Sequence, residues 1–588
     1  MRCRVSPKAA YAMRQIALNV AEAVSARGCA SADFTEDEAD AIVIHCFENI
    51  KNQGMLKIMK TSEIKKPTQT IEINEQFKKT LNLLEQTDKN VFITGKAGTG
   101  KSTLLKYFME NTGKKAVVLA PTGVAALNVQ GETIHSFFGF RPDITLNKVD
   151  KIKVKKKKLF LEIDTIIIDE ISMVRADLLD CVGRFLKLNG RNKHKPFGGV
   201  QMVFIGDLYQ LPPVVTSKER EMFTHHYNSP YFFSANIFKE FSFEFIELEK
   251  IYRQKDEHFI RILNKIRNNS IENKDLAALN SRTGIALSES NSAGLTVYLT
   301  TTNAMAGEIN EQHLNRLKSK IHTYLAEIEG DFDRPSYPTE EKLSLAAGAQ
   351  VMMLNNDSSG RWVNGTVGMI TGIRQDRESK QDIIDVKFSA GNTAEVLPHG
   401  WEIFHYKLNE QTRLIDTETV GIFTQYPLRL AWAVTIHKSQ GKTFDRIIID
   451  IGKGAFAHGQ VYVALSRCTS LEGISLKKPL EKKHIFMDWR IVKFMTNRQY
   501  ELSEQELPLE KKISMIENAI KNGNWLEIVY LKANDEKSKR AIKPHSVGNR
   551  KYLDKDFIGM DAYCSKRRED RVFRIDRILR IKETEEKA

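Results

Sequence analysis

Short apolar runs alternate with helical stretches along the chain from residue 71 onward. Each run is continuously apolar or rich in β-branched residues and is followed by a loop or a helical pattern; the runs lie at 91–94, 116–120, 165–169, 201–206 and 296–299. Such runs are typical of strands in a parallel sheet that is buried on both faces. The pattern predicts an α/β fold, and strand–helix alternation returns at 426–475.

Two other stretches carry patterns that are typical of antiparallel strands. Residues 350–425 combine frequent glycines with short alternating runs, which predicts a small β-barrel inserted into the α/β part. Residues 498–512 are polar and predict a linker, and 513–588 predict a basic, β-rich module. Residues 1–70 predict an N-terminal helical extension that ends in a polar linker.

Composition excludes several classes of protein. Of the 588 residues 41% are hydrophobic, so the chain is not broadly disordered, and no run approaches the ~18 apolar residues of a transmembrane helix. We therefore expect no membrane partner. The six cysteines lie far apart without a CxxC pair, which indicates a reducing compartment.

These features predict a cytoplasmic location, in a bacterial cytoplasm or nucleoid. The first 21 residues contain basic but no acidic residues, which leaves a mitochondrial transit segment as the alternative. A native start at Met55 or Met59 is a further alternative for this part of the chain.

The net charge is +14, which predicts a polyanionic partner such as nucleic acid. The excess is concentrated in two segments: residues 147–158 carry +6 and residues 537–582 carry +9, so the remaining 530 residues are close to neutral. These two segments are the predicted auxiliary contacts to nucleic acid.

A glycine-rich phosphate-binding motif follows the first predicted strand. The sequence GKAGTGKS at 95–102 matches GxxxxGK[ST] and leads into a helical pattern. Backbone N–H groups of such a loop wrap phosphates, the lysine reaches the β- and γ-phosphates, and the serine hydroxyl binds Mg²⁺. The motif predicts ATP and Mg²⁺ as ligands. The predicted nucleotide-binding residues here are Gly95, Gly98, Thr99, Gly100, Lys101, Ser102 and Thr103.

Two further strand ends supply the acidic and polar groups that phosphoryl transfer needs. The strand at 165–168 ends in Asp169 and Glu170, which predicts a Mg²⁺ ligand and a residue that activates the attacking water. After the third strand, Gln210 is placed to sense the γ-phosphate.

Two arginines are candidates for positive charge against the transition state. Arg253 lies in the sequence IYRQ and Arg467 in VALSRC. Spacing alone leaves each of them open between an arginine finger and a surface arginine.

Seven segments, in this order, resemble the Pif-type DNA helicases of superfamily one. The resemblance covers residues 71 to about 480. The segments are GKAGTGKST (95–103), LAPTGVAALNVQGETIHSFF (119–138), DEISMVRADLLD (169–180), GDLYQLPPV (206–214), YRQ (252–254), TIHKSQGKTFD (435–445) and VYVALSRC (461–468).

The resemblance implies two RecA-like lobes with ATP between them. The first lobe is expected at 71–245 and the second at 246–349 and 426–497, with an SH3-like barrel inserted at 350–425. It also implies ATP-driven 5′→3′ translocation on single-stranded DNA and duplex unwinding, in genome maintenance, repair or recombination.

The resemblance also assigns individual residues. Arg253 and Arg467 match the arginine fingers of the family, and Gln76 stands where the family places a glutamine that contacts adenine. Gly441 joins the expected nucleotide-binding set, and 124–138 matches the position of the strand-separating wedge.

Single-strand channels use hydroxyls, amides and cations for phosphates, with aromatic groups for bases. Side chains of these types predict DNA contacts in both halves of the α/β part. For the aromatic residues the alternative is a place in the core, and for Asn364 a simple hairpin turn. The predicted DNA-binding residues of this part are Pro121, Thr122, Gly123, Thr133, His135, Phe137, Asn364, His437, Lys438 and Ser439.

The C-terminal module is similar to a WYL domain, which is a small SH3-like barrel. The ending RVFRIDRI at 571–578 is the most specific part, whereas Phe557, Ile558 and Gly559 replace the Trp-Tyr-Leu triplet that names the domain. Arg571 and Arg574 are predicted to bind DNA phosphate; a solvated basic face is the alternative.

The expected partners are single-stranded DNA and tailed or forked duplexes, and the expected state is a monomer. The sequence leaves open whether G-quadruplexes or RNA–DNA hybrids are also bound. Two other functions remain as alternatives: a RecD-like helicase subunit of a nuclease complex, and an ATP-gated nucleic-acid-binding regulator.

Overall fold

The computed structural model describes residues 73–584, except for 155, 216–222, 224, 255, 286–294, 378–379, 390, 453, 455–456 and 553–554. The N-terminal extension predicted at 1–70 lies outside the described residues. Among the helices that are described, none has the length and apolar character needed to cross a membrane.

The first lobe is built on a six-stranded parallel sheet with the strand order β3-β2-β4-β5-β1-β6. Four central strands are buried at nearly every position because helices cover both faces. The predicted parallel α/β sheet is therefore confirmed. The strands are β1 (Asn90–Gly95), β2 (Ala116–Ala120), β3 (Glu132–Thr133), β4 (Thr165–Ile168), β5 (Gln201–Ile205) and β6 (Phe243–Leu248).

Seven α-helices surround this sheet in the described part of the first lobe; they are Glu75–Gln86, Lys101–Asn111, Gly123–Asn128, Ile134–Phe138, Leu146–Val149, Lys157–Glu162 and Ala176–Asn189. The predicted lobe boundary between residues 245 and 246 needs correction. It falls inside β6, which pairs with β1 along its whole length, so the first lobe extends to Leu248.

The second lobe contains a four-stranded parallel sheet with the order β18-β7-β19-β20. Its strands come from both sides of the insertion, as the return of strand–helix alternation predicts. The strands are β7 (Val297–Thr300), β18 (Ala433–Thr435), β19 (Ile447–Asp450) and β20 (Ile474–Leu476). The helices are Glu257–Arg267, Asn273–Asn280, Asn303–Arg316 and Gln460–Leu465.

The insertion is larger than predicted and begins near residue 321 instead of 350. Its strands form a five-stranded antiparallel sheet (β14-β13-β12-β11-β17), a three-stranded sheet (β15-β16-β9) and a β10-β8 pair. The strands are β8 (Ile321–Leu325), β9 (Glu327–Gly330), β10 (Lys342–Ala346), β11 (Gln350–Met353), β12 (Val367–Gln375), β13 (Asp382–Phe388), β14 (Thr393–Val396), β15 (His399–Leu408), β16 (Ile415–Gln425) and β17 (Leu428–Leu430). Strands β8 and β9 are mostly exposed, so they lack the apolar alternation that marks a strand in a sequence.

Strands β15 and β16 form a long hairpin, here called the arm (residues 399–425), that docks on the first lobe. The backbone N–H of Val118 donates to the Tyr406 hydroxyl (3.2 Å), and the Tyr406 N–H donates to the buried Glu132 carboxylate (3.2 Å). His405 lies 2.6 Å from the same carboxylate. The arm thereby joins the insertion to β2 and β3 of the first lobe.

The linker predicted at 498–512 is wrong. Residues Trp489–Glu506 form one helix and Leu509–Asn522 the next. Ile491 and Met495 are fully buried in the core of the first lobe, whereas most of the other positions on this helix are exposed or partly exposed. Within 498–512 the buried side chains are the polar Gln499, Ser503 and Lys512, so the composition of this segment gives no sign of the packed helices.

The C-terminal module is a five-stranded antiparallel sheet with the order β24-β23-β22-β21-β25. The helix Leu509–Asn522 packs on it through Ile516 and Ala519, which are fully buried. The strands are β21 (Trp525–Leu531), β22 (Lys537–Tyr552), β23 (Lys555–Cys564), β24 (Glu569–Arg574) and β25 (Ile578–Thr584).

The packing of the helix Trp489–Glu506 can be tested by truncating its buried stripe. Met495→Ala leaves a cavity in the first lobe, so we expect the free energy of unfolding to fall by about 2–5 kcal/mol. Gln505→Ala, at an exposed position of the same helix, is the control and should change it by less than about 0.5 kcal/mol. Denaturant unfolding of the full chain measures both, and equal stability of the two variants would contradict the packing.

Candidate functional site

The phosphate-binding loop joins the end of β1 to the helix Lys101–Asn111. Gly98 and Gly100 have φ values of +81° and +86°, which disfavour residues with a Cβ. A Cβ on Gly98 would also lie 2.5 Å from the Cβ of Arg253. The glycines at these positions therefore serve both the curvature of the loop and the close approach of the second lobe.

Lys101 points back into the loop. Its Nζ donates to the carbonyls of Gly95 (2.7 Å) and Lys96 (3.2 Å). Burial lowers the pKa of Lys101, and the carboxylates of Asp207, Glu170 and Asp169 act in the opposite direction. The ammonium is thus held among loop carbonyls with an acidic cluster nearby.

Asp169 and Glu170 follow β4 directly; Asp169 is buried and Glu170 is partly exposed. Burial raises the pKa of Asp169, and burial followed by the charge of Asp169 raises the pKa of Glu170 to about 7. Paired buried carboxylates favour a cation between or beside them. With the exposed Ser102 at the start of the neighbouring helix, this set of oxygen donors fits a magnesium ion.

A chain of polar side chains links Glu170 to both lobes. Gln440 of the second lobe donates from Nε2 to Glu170 Oε2 (2.9 Å) and to Gln210 Oε1 (3.2 Å). Gln210 in turn donates to Asp207 Oδ2 (3.3 Å). The contact of Gln440 with the nucleotide-site residues was missed, because residues 437–441 were considered for DNA binding.

Arg467 is almost fully buried, at 1% exposure. Its guanidinium donates to the carbonyls of Val463 (2.9 Å) and Lys442 (3.3 Å) and to the Ser466 hydroxyl (2.9 Å). Burial, and secondly the charge of Arg253, lowers the pKa of Arg467 to about 9.

Arg253 lies beside Arg467, and its guanidinium also donates to backbone carbonyls. It donates to the carbonyls of Ser466 and Gly441 (both 3.3 Å), and burial lowers its pKa. Within the described residues neither guanidinium forms an ion pair with a carboxylate. The buried Arg467 and the partly exposed Arg253 are neighbouring cations with neutral partners, and together they make a site for an anion.

The second lobe touches the phosphate-binding loop directly. The Ala97 N–H donates to the Tyr462 hydroxyl (3.0 Å), and the Tyr252 N–H donates to the Gly98 carbonyl (2.8 Å). Tyr462 carries no signal that separates it from a core tyrosine, so sequence reasoning missed it.

Gln76 lies in the first helix and bonds to the strand that ends the first lobe. Its amide nitrogen donates to the Glu247 carbonyl, and its Oε1 accepts from the Glu249 N–H (3.2 Å). The side chain is therefore fixed at the point where the chain leaves the first lobe.

Among the predicted DNA contacts of the first lobe, the two threonines start short helices. The Thr122 hydroxyl accepts from the Ala125 N–H and the Thr133 hydroxyl from the Ser136 N–H, each at 3.2 Å. Pro121, Gly123 and His135 lie beside them and are partly exposed, and a Cβ on Gly123 would collide with Ser336 of the insertion. These loops face the insertion.

Asn364 joins three parts of the molecule. Its Nδ2 donates to Asn128 Oδ1 of the first lobe (3.0 Å), and its Oδ1 accepts from Lys442 Nζ of the second lobe (2.6 Å). His437 and Lys438 lie at the start of the loop that contains Lys442. Lys442 was missed, although its neighbour Gly441 was included in the predicted set.

Two predicted DNA contacts are wrong. Phe137 is 7% exposed and packs edge-on against Phe138, Phe160 and Tyr406, so it belongs to the core and offers no face to a base. Ser439 is fully buried and its hydroxyl donates to the Ile436 carbonyl (2.8 Å), so it stabilises the turn.

Arg571 and Arg574 are not brought together as one phosphate site. They lie three residues apart on β24, so their side chains face opposite sides of the sheet. Each already pairs with an acid, Arg571 with Glu569 (3.2 Å) and Arg574 with Asp576 (2.6 Å). They therefore do not form one shared phosphate site, and a DNA contact by either arginine stays a prediction.

Part of the lysine-rich segment 147–158 serves the arm. Lys156 donates to the Tyr406 carbonyl (3.0 Å) and Lys158 pairs with Glu410 (2.6 Å). Lys155 lies outside the described residues. These two lysines thus have a structural partner besides any DNA contact.

Comparison with known proteins matches two parts of the chain to families. A family model described as PIF1-like helicase matches residues 70–276, and one described as WYL domain matches residues 511–583. An ATP-dependent DNA helicase Pif1 from Bdellovibrio bacteriovorus is 31% identical over 422 residues, covering 70% of this chain and 89% of that protein. The corresponding Psychrobacter protein is 32% identical over 447 residues, covering 66% of each chain.

A solved structure gives the same relationship in three dimensions. The crystal structure of Bacteroides Pif1 in complex with ADP-AlF4 has a TM-score of 0.66 and 39% identity, covering 73% of this chain and 97% of that one.

The buried arginines can be tested through ATP hydrolysis. Arg467→Ala removes a cation from the phosphate site, so we expect the kcat of DNA-stimulated hydrolysis to fall by about 10³–10⁵. Arg316→Ala, at an exposed helix position, is the matched control and should leave kcat unchanged. Circular dichroism melting separates loss of chemistry from unfolding; near-normal kcat in a folded Arg467→Ala variant would contradict this role.

Lys442 provides a test of the loop predicted to contact DNA. Burial lowers the pKa of Lys442 to about 7, and a DNA phosphate beside it would favour its charged form. We therefore expect Lys442→Ala to raise the Kd for oligo-dT and to lower the slope of log Kd against log salt by about 1, the loss of one phosphate contact. Fluorescence anisotropy at several NaCl concentrations measures both. The control is Lys387→Ala on the exposed side of β13; the same salt slope in both variants would exclude a phosphate contact by Lys442.

Proposed function

The chain belongs to the PIF1-like helicase family of ATP-dependent DNA helicases, and we propose that it moves 5′→3′ along single-stranded DNA and unwinds duplexes. The observation that carries the proposal is the contact of Gln440 with both Glu170 and Gln210. It places one residue of the DNA-facing loop of the second lobe on the carboxylate of the nucleotide site in the first.

ATP binds between the lobes in this proposal. Lys101 leaves the carbonyls of Gly95 and Lys96 and pairs with the β- and γ-phosphates. Arg253 and Arg467 pair with the γ-phosphate from the second lobe, which neutralises the buried Arg467 and the partly exposed Arg253. Gln76 contacts the adenine edge from the end of the first lobe.

Glu170 acts as the general base toward the attacking water. A carboxyl whose pKa lies near neutrality is matched to that role. Gln210 orients the same water, and Gln440 holds both side chains in place.

Ser102 and Asp169 hold the Mg²⁺ ion that accompanies ATP. When bound there, such an ion would supply positive charge against the phosphate oxygens. The exposed Ser102 and the buried Asp169 supply the oxygen ligands that such an ion prefers.

Hydrolysis is coupled to DNA through the carbonyls that bind the arginines. Arg253 and Arg467 hold the carbonyls of Gly441 and Lys442, which lie in the loop that also carries His437 and Lys438. When the arginines turn to phosphate, this loop loses those bonds and its grip on DNA changes. Repeated cycles then move the strand.

The DNA channel of the proposal runs between the first lobe, the insertion and the second lobe. Asn364 lies where all three meet, between Asn128 and Lys442. Thr122 and Thr133 present their loops to the same side. The five-stranded sheet of the insertion and that of the C-terminal module are taken as SH3-like barrels, in line with their antiparallel order.

Tailed and forked DNA are the proposed substrates of a monomeric enzyme. A solved structure of Bacteroides Pif1 bound to single-stranded DNA has a TM-score of 0.54 and 40% identity to this chain, covering 73% of this chain and 97% of that one. That relative's ligand supports the same class of partner here.

A strand-displacement assay tests direction and class of activity together. The full chain with ATP and Mg²⁺ should unwind a 5′-tailed duplex and leave a 3′-tailed duplex intact. Lys101→Ala, which removes the phosphate-binding ammonium, should bind single-stranded DNA but unwind neither substrate.

Three outcomes would contradict the proposal. Unwinding of only the 3′-tailed duplex reverses the direction, and ATP-dependent binding without unwinding favours a regulator. Unwinding by Lys101→Ala at the normal rate would remove the nucleotide site from the mechanism.

A further inference from the structure

The turn between β21 and β22 of the C-terminal module, residues 532–537, is here called the Asp535 turn. The Asp535 N–H donates to the Lys532 carbonyl (3.1 Å), and Asp535 has a φ of +60°. Hairpin turns of small sheets usually face solvent. This one is covered, since Asp535 is only 5% exposed.

The residues that cover Asp535 come from the helicase body. The Tyr209 hydroxyl donates to Asp535 Oδ2 and Gln499 Nε2 donates to Oδ1, each at 2.6 Å. Asn268 of the second lobe donates from Nδ2 to the Asp535 backbone carbonyl (3.3 Å). One residue of the module therefore binds the first lobe, the second lobe and the helix that precedes the module.

Tyr209 lies next to the nucleotide site along the chain and in space. Asp207 lies two residues before Tyr209, and Gln210, which contacts Gln440, follows it directly. Arg267 of the second lobe lies 3.8 Å above the Tyr209 ring and donates to Asp207 Oδ1 (3.4 Å). Asp535 thus stands one hydrogen bond away from the segment that holds Gln210.

The same turn also contacts the part of the nucleotide site that is proposed to bind adenine. Lys537 Nζ pairs with Glu247 (2.8 Å) and Glu249 (2.9 Å). The backbone of these two glutamates holds the amide of Gln76. The turn therefore contacts two segments: the one that contains Gln210 and the one that binds the Gln76 amide. In the proposed function Gln210 lies at the γ-phosphate of ATP and Gln76 at the adenine.

We propose that Asp535 is a positioning residue for ATP hydrolysis: through Tyr209 it holds the 207–210 segment in place, so that the C-terminal module sets the turnover of the motor. The inference rests on the proposed function. A carboxylate buried among hydroxyl and amide donors is costly where a neutral side chain would anchor a turn equally well. The hydrogen bond from Tyr209 gives the Asp535 carboxylate a role in addition to anchoring the turn, which is to position the 207–210 segment.

Two single variants separate positioning from anchoring. Tyr209→Phe removes only the hydroxyl and keeps the ring under Arg267. Asp535→Asn keeps the shape, but one of its two donors, Tyr209 or Gln499, then faces an amide N–H. We expect each variant to lower the kcat of DNA-stimulated ATP hydrolysis roughly tenfold, with KM for ATP and Kd for oligo-dT within about twofold of the unmodified chain.

The double variant and a matched control complete the experiment. Tyr209→Phe with Asp535→Asn should be no slower than the slower single variant, because both act on one hydrogen bond. Glu536→Gln makes the same acid-to-amide change one residue away, on a side chain that pairs with Lys532 inside the turn, and should leave kcat unchanged.

The results that would overturn the inference are distinct from those that overturn the function. Normal kcat in Tyr209→Phe, in a chain that unwinds 5′-tailed duplexes, removes the positioning role and leaves the helicase assignment intact. Equal losses in Asp535→Asn and Glu536→Gln would also remove it. Absence of unwinding by the unmodified chain counts against the proposed function instead.

Discussion

The cleft between the lobes is governed by buried positive charge without a carboxylate partner. Arg253 and Arg467 lie side by side, and the bonds they donate in the described structure go to carbonyls and a serine hydroxyl. Burying an unneutralised cation costs several kcal/mol, so the closed cleft favours an anionic ligand. In the proposed function a triphosphate neutralises this charge and its hydrolysis removes the neutralising group, which would tie closure of the lobes to the chemical state of the nucleotide.

The same cations connect the cleft to the DNA side of the molecule. Three of the carbonyls they hold belong to residues 439–442. In the same loop the Gln440 side chain contacts Glu170, and the Lys442 side chain contacts Asn364 of the insertion. One short loop therefore contacts the nucleotide residues, the arginines and Asn364. Because the loop is short, a movement at any one of these contacts also shifts the residues that make the other contacts.

Most of the fold was predictable, and the exceptions share a cause. The parallel strands of both lobes are continuous apolar runs, which local patterns identify well. Residues 498–512 were misread because the side chains buried there are polar, namely Gln499, Ser503 and Lys512. Strands β8 and β9 were missed because both are mostly exposed and therefore carry no apolar alternation.

The residues of the candidate site likewise fall into those that local sequence predicts and those that it does not. The glycines of the loop, Lys101, Asp169 and Glu170 are adjacent in sequence to the strands that position them, so local order was enough to predict where they lie. Phe137 and Ser439 were placed on DNA because their residue types suit it, but burial is a property of packing and not of residue type. Arg571 and Arg574 were grouped because they are close in sequence. Residues three apart on a strand lie on opposite faces of the sheet, so these two do not meet.

By itself, the sequence determined the class of fold, the family and the chemistry of each short motif, because these depend on contiguous residues and their order. Tertiary structure alone decided which distant groups meet. Tyr209 and Asp535 are 326 positions apart, and Asn128 and Asn364 are 236 apart. Contacts of this kind arise from how whole layers pack, and neither periodicity nor composition records which partner a buried polar group will find.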